Sequence, residues 1–337
     1  LKRIKLTFAG LTIEFTDRNR ALERVEEWVK GVISQPIVVY GPEGCGKSAW
    51  LRQVAELLRE LGFEVLYLDF LHRDLIAYSD VKELVERLYV ALSDVTGFPE
   101  LKLAMLLVDV AKQLIGKWGK KRLALLLDEV FQAIGLERAE LYVKSLLSLI
   151  EYPPGEYEKI LVLVATSEGL TRSRIGRHMW ADVLAMWNMS RSGFIELYEK
   201  IPGSKPTVDY AWRLSGGNLR ILGQFYRLQW SLDAVVEWFL RTTKLEYFIR
   251  SLSSTEREWL LEAIGDPDSL FHRDKLPLLS KLVELNLVVD TLPSRTPANW
   301  VDEPPPERDP ELGVGVNVAW QTPVHREALK RILHKHG

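Results

Sequence analysis

The sequence predicts an α/β protein built on a mostly parallel sheet with helices on both faces, followed by an all-helical segment and a small C-terminal domain. Three observations predict it. A short apolar run enters a glycine-rich loop and leaves it as an amphipathic helix. Four further apolar strands then alternate with helices, and the strand signal stops after residue 201.

Taken in order, Leu22, Val25, Val29 and Val32 share one helical face over residues 18–33, and QPIVVY follows as a buried strand ending at Tyr40. After GPEGCGKS (41–48), Leu51, Val54, Ala55, Leu58 and Leu61 form one stripe, with Gly62 as the stop. The pattern continues with FEVLYLDF (63–70), helices over about 80–117, RLALLLDE (122–129), a helix over 137–150, KILVLVAT (159–166), a further helix, and GFIELYE (193–199) as the last strand. Uninterrupted apolar strands of this kind need cover on both faces, which is the condition of a parallel sheet.

Past IPGSKP, residues 207–252 read as three or four helices broken at SGGN, a helical lid. SSTE (253–256) is a capping box opening a helix to Ile264. A second helix spans 275–285, with Asn286 capping it in the left-handed region, and residues 287–290 pair with 314–320. Helices followed by a two-stranded ribbon describe a winged helix, whose long wing carries six prolines between residues 291 and 313. The expected domains are therefore 1–200, 201–252 and 253–337. No internal repeat is evident.

Composition bounds the function. The 337 residues are 47% apolar and 27% charged, an ordinary globular balance with room for more than one core. The 44 Lys and Arg against 46 Asp and Glu leave a net charge of −2, so no global positive field attracts nucleic acid or anionic lipid. The single cysteine, Cys45, excludes a disulfide framework and a multi-cysteine zinc site. With no long uncharged apolar stretch and an N-terminus unlike a signal peptide, a cytoplasmic protein with no membrane partner is expected.

GPEGCGKS matches G-x-x-x-x-G-K-[ST] in full between a strand and a helix, the context that its chemistry requires. Gly41, Pro42, Glu43, Gly44, Cys45 and Gly46 would turn backbone amides toward anionic oxygens, and the helix N-terminus adds partial positive charge. Lys47 would reach the β- and γ-phosphates and Ser48 would ligate Mg²⁺. A glycine-rich turn without a ligand is the alternative. LLLDE ends a strand in two carboxylates whose side chains should diverge: Asp128 would hold the Mg²⁺ shell, and Glu129 would orient and deprotonate a water. A water-activating base argues against a small-molecule kinase. Thr166 or Ser167 at the next strand tip either contacts the γ-phosphate or caps the following helix. In TRSRIGRH, Arg172, Arg174 and Arg177 form either a solvated basic face or an arginine finger acting on a neighbouring protomer, with Arg174 and Arg177 one helical turn apart. Arg220, after SGGNL, can reach phosphates from the lid or lie on the surface. Met179/Trp180 recur seven residues later as Met186/Trp187, a stripe read as core before partner docking.

With these residues assembled, the chain resembles the archaeal ATPase family of the STAND branch of P-loop NTPases, related to AAA+ and origin-recognition ATPases. FTDRNRALE (15–23), GPEGCGKS, LLLDE, VATS and SGGNLR carry the resemblance. It implies ATP and Mg²⁺ as ligands, Asp17 and Arg18 near the adenine, Thr166 or Ser167 as first sensor, Arg220 as second, and a sensor strand lying between those of the phosphate loop and the acidic pair. Relatives usually read GGNPR in the lid, where this chain has Leu219 in place of the proline.

The leading functional expectation is an ATP-hydrolysing switch relayed through the lid to the winged helix, with a protein partner or self-association. The rival is a nucleotide-regulated DNA-binding initiator or regulator. From residue 253 onward, 10 Lys and Arg face 14 Asp and Glu, and the second helix offers Lys275 and Lys281 beside Glu284. Phosphate contacts need clustered cations, so charge disfavours DNA, although the C-terminal HREALKRILHKHG is a basic edge.

Overall fold

The computed structural model describes residues 2–94, 99–167, 169, 175–243 and 245–336. They group into two compact units, each discontinuous in sequence. One comprises Leu1–Ile4, Asn19–Tyr40 and Lys47–Ala185, and the other Lys5–Arg18, Gly41–Gly46 and Met186–Gly337. The second unit begins with an antiparallel hairpin of β1 (Lys5–Phe8) and β2 (Leu11–Glu14), which the sequence reading missed.

The first unit is built on β3 (Ile37–Tyr40), β4 (Glu64–Asp69), β5 (Asp74–Tyr78), β6 (Arg122–Asp128), β7 (Lys159–Thr166) and β8 (Asp182–Ala185). They form one sheet in the order β5-β4-β6-β7-β3-β8, parallel except for β5, which returns antiparallel to β4 through a turn with Arg73 at φ +52°. β7, which carries Thr166, thus lies between β6 and β3, the strand order that the resemblance implied. Helices α1 (Asn19–Lys30), α2 (Lys47–Glu60), α3 (Lys82–Ser93), α4 (Glu100–Gly116), α5 (Val130–Ile134) and α6 (Leu136–Glu151) supply the cover that buried strands require. One continuous core runs from Val38, Leu66 and Leu125 to Leu107, Leu114 and Leu146. The stripe on α2 buries Leu51, Val54, Ala55 and Leu58, and the indole of Trp50 donates to the carbonyl of Ala21 at 3.4 Å, tying α2 to α1.

Two expectations are corrected here. Residues 193–199 are not a strand but part of α7 (Arg191–Glu199), which opens on Ser190, whose hydroxyl accepts from Gly193 N. Phe194, Leu197 and Tyr198 recur at helical spacing and are all buried, so period 3.6 rather than period 2 describes the segment. The sixth strand is instead β8, inside the stretch read as a Met/Trp stripe. Because that stretch runs through a strand, its seven-residue recurrence marks no helical face: Met186 and Trp187 are buried while Met179 is 93% exposed.

The second unit is otherwise helical: α8 (Val208–Ser215), α9 (Leu219–Arg227), α10 (Leu232–Thr243), α11 (Leu245–Ser251), α12 (Ser254–Gly265), α13 (Leu276–Glu284) and α14 (Pro323–His336). At SGGN, Gly216 ends α8 at φ +60° and the Asn218 side chain caps α9 by accepting from Ile221 N. The capping box on Ser253 and Glu256 is present, and Asn286 stands at φ +53°. The ribbon is shorter than expected, β9 (Val288–Val289) against β10 (Ala319–Trp320), because the Asp268 carboxylate takes the backbone N–H groups of Val316, Asn317 and Val318 at 2.6, 2.7 and 3.0 Å. The proline-rich segment is ordered around Arg295, whose guanidinium donates to the carbonyls of Pro306, Glu307 and Gly315, and around the buried Trp300. No helix among the described residues is long and apolar enough to cross a membrane.

His325 on α14 is enclosed, its Nδ1 2.7 Å from the Thr322 hydroxyl and its ring edge-on to Phe239. Burial pushes its pKa down to about 3. Between that value and the ordinary range near 6.5 the unfolded chain binds the extra proton, so stability is lost as pH falls. Denaturant unfolding should show a loss on the order of 2 kcal/mol between pH 6.5 and 5, and His325→Leu should flatten that slope. Equal slopes in both proteins would show that other groups govern acid sensitivity.

Candidate functional site

The carboxyl ends of β6 and β7, with the start of α2, bring the polar candidates of the first unit together. Lys47 and Ser48 open α2, and Lys47 is 4% exposed. Asp128 is the last residue of β6, level with Asp69 on β4 and Ala165 on β7. Thr166 ends β7 in register with Tyr40, the residue that precedes the phosphate loop, and is fully buried. Asp128 and Thr166 therefore stand at neighbouring strand ends, and Ser48 meets the Asp128 carboxyl from the start of α2.

Asp128 is fully buried. Its Oδ2 accepts from the Tyr67 hydroxyl at 3.1 Å, and the Ser48 hydroxyl also hydrogen-bonds the carboxyl. Oδ1 has no partner. Burial, with the nearby charges of Glu129 and Asp69, pushes the carboxyl up to about 7 against the lowering by Ser48 and Tyr67. A desolvated carboxyl with an unpartnered oxygen, beside a hydroxyl and near two more carboxylates, fits a hard divalent cation such as Mg²⁺. Among the described residues no cluster of three His, Cys, Asp or Glu is placed to hold a metal ion.

Glu129 departs from the expected strand alternation. The strand ends at Asp128, and Glu129 takes the left-handed conformation at φ +52°, ψ 28° as α5 begins. Its direction is thus fixed by a turn rather than by the pleat. Its amide donates to the carbonyl of Ala165 at 2.9 Å, and its carboxylate accepts from both the backbone N–H of Ser167, at 3.0 Å, and the Ser167 hydroxyl. Of the two sensor candidates, Thr166 sits inside the strand tip while Ser167 holds the glutamate.

In the second unit the loop Gly41–Gly46 is packed by Met186, Asn218 and Arg220. A Cβ on Gly44, which stands at φ +77°, would collide with Arg220 Cβ, and one on Gly41 would collide with the carbonyl of Met186. The Arg220 guanidinium pairs with the Glu43 carboxylate, the Asn218 amide donates to the Glu43 carbonyl at 2.9 Å, and the Glu43 N–H donates to Gln321 Oε1 at 2.9 Å. Pro42 and Gly46 complete the loop, and Cys45 is buried with its Sγ 3.9 Å from the Met186 carbonyl.

Arg18, expected near the adenine, is buried within this unit. Nη1 donates to Asp302 Oδ2 at 2.6 Å, and Nη2 donates to the carbonyls of Cys45 and Trp187 at 2.6 and 3.0 Å. Burial opposes its charge, but the Asp302 carboxylate, which also accepts its hydrogen bond, outweighs it and keeps the guanidinium protonated. Asp17 accepts from Ser190 Oγ at 3.1 Å and lies against Gly193, where a Cβ would strike its carboxylate. Arg177 is exposed, while Arg172 and Arg174 lie outside the described residues.

Sequence reasoning missed Tyr67, Gln321 and Asp302. Tyr67 carried a signal, a hydroxyl inside an otherwise apolar strand that must find an acceptor. Gln321 and Asp302 carried none, because their partners are 278 and 284 residues away in sequence. Asp302→Ala leaves a buried guanidinium without its counterion and should cost about 3–5 kcal/mol in denaturant unfolding, whereas Asp302→Asn keeps an acceptor and should cost less. A loss below 1 kcal/mol for the alanine variant would show that water reaches Arg18.

A family model described as an ATPase domain predominantly from Archaea matches residues 15–225. A stretch of 174 residues is 25% identical to cytoplasmic dynein 2 heavy chain 1 of Rattus norvegicus, and one of 180 residues is 26% identical to the Homo sapiens protein. These stretches cover 49% and 50% of this chain, which itself spans 4% of the length of either heavy chain. A Walker-type ATPase of Pyrococcus abyssi shares the fold over 94% of this chain and 96% of its own, at 17% identity and a TM-score of 0.51. With the family model running from FTDR through the phosphate loop and the acidic pair to α9, the chain belongs to the ATPase domain family found predominantly in Archaea.

Proposed function

We propose that this protein binds ATP with Mg²⁺ and hydrolyses it, and that the nucleotide state is relayed as a switch. The observation that carries the reading is the buried Asp128 carboxyl, with one oxygen unpartnered, beside Ser48 at the start of the helix that follows a complete phosphate loop. Gly41, Pro42, Glu43, Gly44, Cys45 and Gly46 would present loop amides to the phosphates, and Lys47 would neutralise the β- and γ-oxygens. Ser48 and Asp128 would hold Mg²⁺, which when bound would offset charge developing on the transferred phosphoryl group.

Glu129 is the proposed general base. Both of its oxygens accept from Ser167, and each keeps a lone pair for the proton of an attacking water, so the serine steers the carboxylate without exhausting it. Thr166 is the proposed sensor of the γ-phosphate. Arg220 pairs with Glu43 of the phosphate loop, which supports a switch in which phosphate and the Glu43 carboxylate compete for one guanidinium. Asp17 and Arg18 are proposed to shape the adenine end, Arg18 by holding the Cys45 carbonyl.

The proposed organisation is an ATPase core over 1–200, a helical lid over 201–252 and a winged helix over 253–337. The net charge of −4 in the last region supports a protein partner or self-association over DNA, with Arg174 or Arg177 as candidates to act in trans.

Mg²⁺-dependent phosphate release measures the reaction. Lys47→Ala should abolish turnover and weaken ATP binding, whereas Glu129→Gln should keep ATP binding and slow turnover by roughly 10²- to 10⁴-fold. Equal loss of ATP binding in both variants would make Glu129 structural. Arg220→Ala should narrow the difference between ATP and ADP affinity, as measured by calorimetry, and unchanged affinities for both would remove Arg220 from the switch.

A further inference from the structure

Tyr67 lies in the interior of β4, fully buried, with Val65, Leu66 and Leu68 around it in the strand. Its register partner on β6 is Leu126, two residues short of Asp128, yet its hydroxyl reaches along the strand to Asp128 Oδ2 at 3.1 Å. The same hydroxyl receives a hydrogen bond from Arg52 Nε at 3.3 Å, and the guanidinium carbon of Arg52 stands 5.6 Å from the centre of the ring. Arg52 is in turn anchored on β5 by Asp74, at 2.8 Å.

Donor chemistry sets the direction of this chain. A guanidinium has no acceptor, so Arg52 must donate to the tyrosine oxygen. The one phenolic proton is then left for Asp128 Oδ2, the acceptor within reach. A carboxylate fixed through one oxygen has its plane and its second oxygen fixed as well, and that second oxygen, Oδ1, is the one without a partner.

We infer that Tyr67 is a positioning residue for the metal, orienting the Asp128 carboxylate so that Oδ1 faces the Mg²⁺ shell, with Arg52 and Asp74 holding the tyrosine hydroxyl in its donating orientation. The inference rests on the proposed Mg²⁺-nucleotide reading and adds to it a determinant of metal affinity on a strand outside the phosphate-loop and acidic motifs. Outer partners of metal ligands commonly change metal affinity by 10–100-fold when removed, because the ligand must then be ordered at the moment of binding.

The test separates metal affinity from nucleotide affinity. A fluorescent ATP analogue is titrated first into the full chain in EDTA, and then, at fixed analogue concentration, MgCl₂ is varied. Tyr67→Phe, which removes one oxygen and keeps the ring, should raise the Mg²⁺ concentration for half-maximal enhancement of binding by roughly 10-fold. Affinity in EDTA and the thermal midpoint should stay near wild type. Arg52→Leu, on a partly exposed helix position and so less exposed to a folding defect, should shift the Mg²⁺ midpoint in the same direction by a smaller factor. A Tyr67→Phe midpoint equal to wild type, with Arg52→Leu also unshifted, would overturn the positioning role. So would a loss of affinity in EDTA as large as the loss in Mg²⁺, which is the signature of a packing residue. A wild-type protein that binds the analogue equally well with and without Mg²⁺ would instead overturn the functional reading itself.

Discussion

Asp128 ends a strand whose residues from Leu123 to Leu127 are buried, so its carboxyl is withdrawn from water with one oxygen bonded and the other unpartnered. Removing a carboxylate from water costs several kcal/mol, and two neutral hydroxyl donors recover part of that. Glu129 and Asp69 add repulsion. The group is therefore in a position that a proton or a cation must balance, and the strand order decides which groups share the problem. With β7 between β6 and β3, Asp128 and Thr166 end neighbouring strands, and Tyr40 leads from β3 into the phosphate loop, the carboxyl end where open α/β sheets bind their ligands.

The second unit solves the opposite problem. There the buried ion is a guanidinium, Arg18, and its proton donors are met by one carboxylate, Asp302, and two carbonyls, those of Cys45 and Trp187. The planar guanidinium reaches a carboxylate on one side and two carbonyls on the other, a spread that a single ammonium point charge does not match. The consequence is that the backbone of the phosphate loop is tied to a residue in the proline-rich segment near the C-terminus. Prolines reduce the freedom that this segment has when unfolded, so holding Asp302 in place costs less than it would in a flexible loop.

Much of the fold was legible because it depends on local pattern, and so was the motif of the phosphate loop. Apolar runs long enough to be covered on both faces marked β3, β4, β6 and β7. The glycine loop between strand and helix placed Lys47 and Ser48, and paired acids at a strand tip placed Asp128 and Glu129. The errors arose where local patterns are ambiguous. GFIELYE is a short apolar run that can be taken for a strand, and the helix is set by the Ser190 cap and by the burial of Phe194, Leu197 and Tyr198 on one side. β8 is four residues long and β5 joins the sheet edge antiparallel, so each depends on a neighbour for its hydrogen bonds. Asp128 and Glu129 do meet different partners, but the reason is not the expected pleat: alternation holds only while the strand lasts, and this strand stops one residue earlier.

By itself the sequence determined the alternation of strands and helices, the identity of the phosphate loop and acidic pair, and the breaks at SGGN and at Ser253. Each of these is a matter of side-chain periodicity and of backbone freedom within a few residues. Tertiary structure alone decided that the Tyr67 hydroxyl would meet Asp128, that Ser167 would hold Glu129, that Glu43 would pair with Arg220, and that Asp302 would neutralise Arg18. Those pairings join residues from 38 to 284 positions apart. Their physical cause is the need of each buried polar group to find a partner, and which partner lies within reach is set by strand order and packing rather than by any neighbour in the chain.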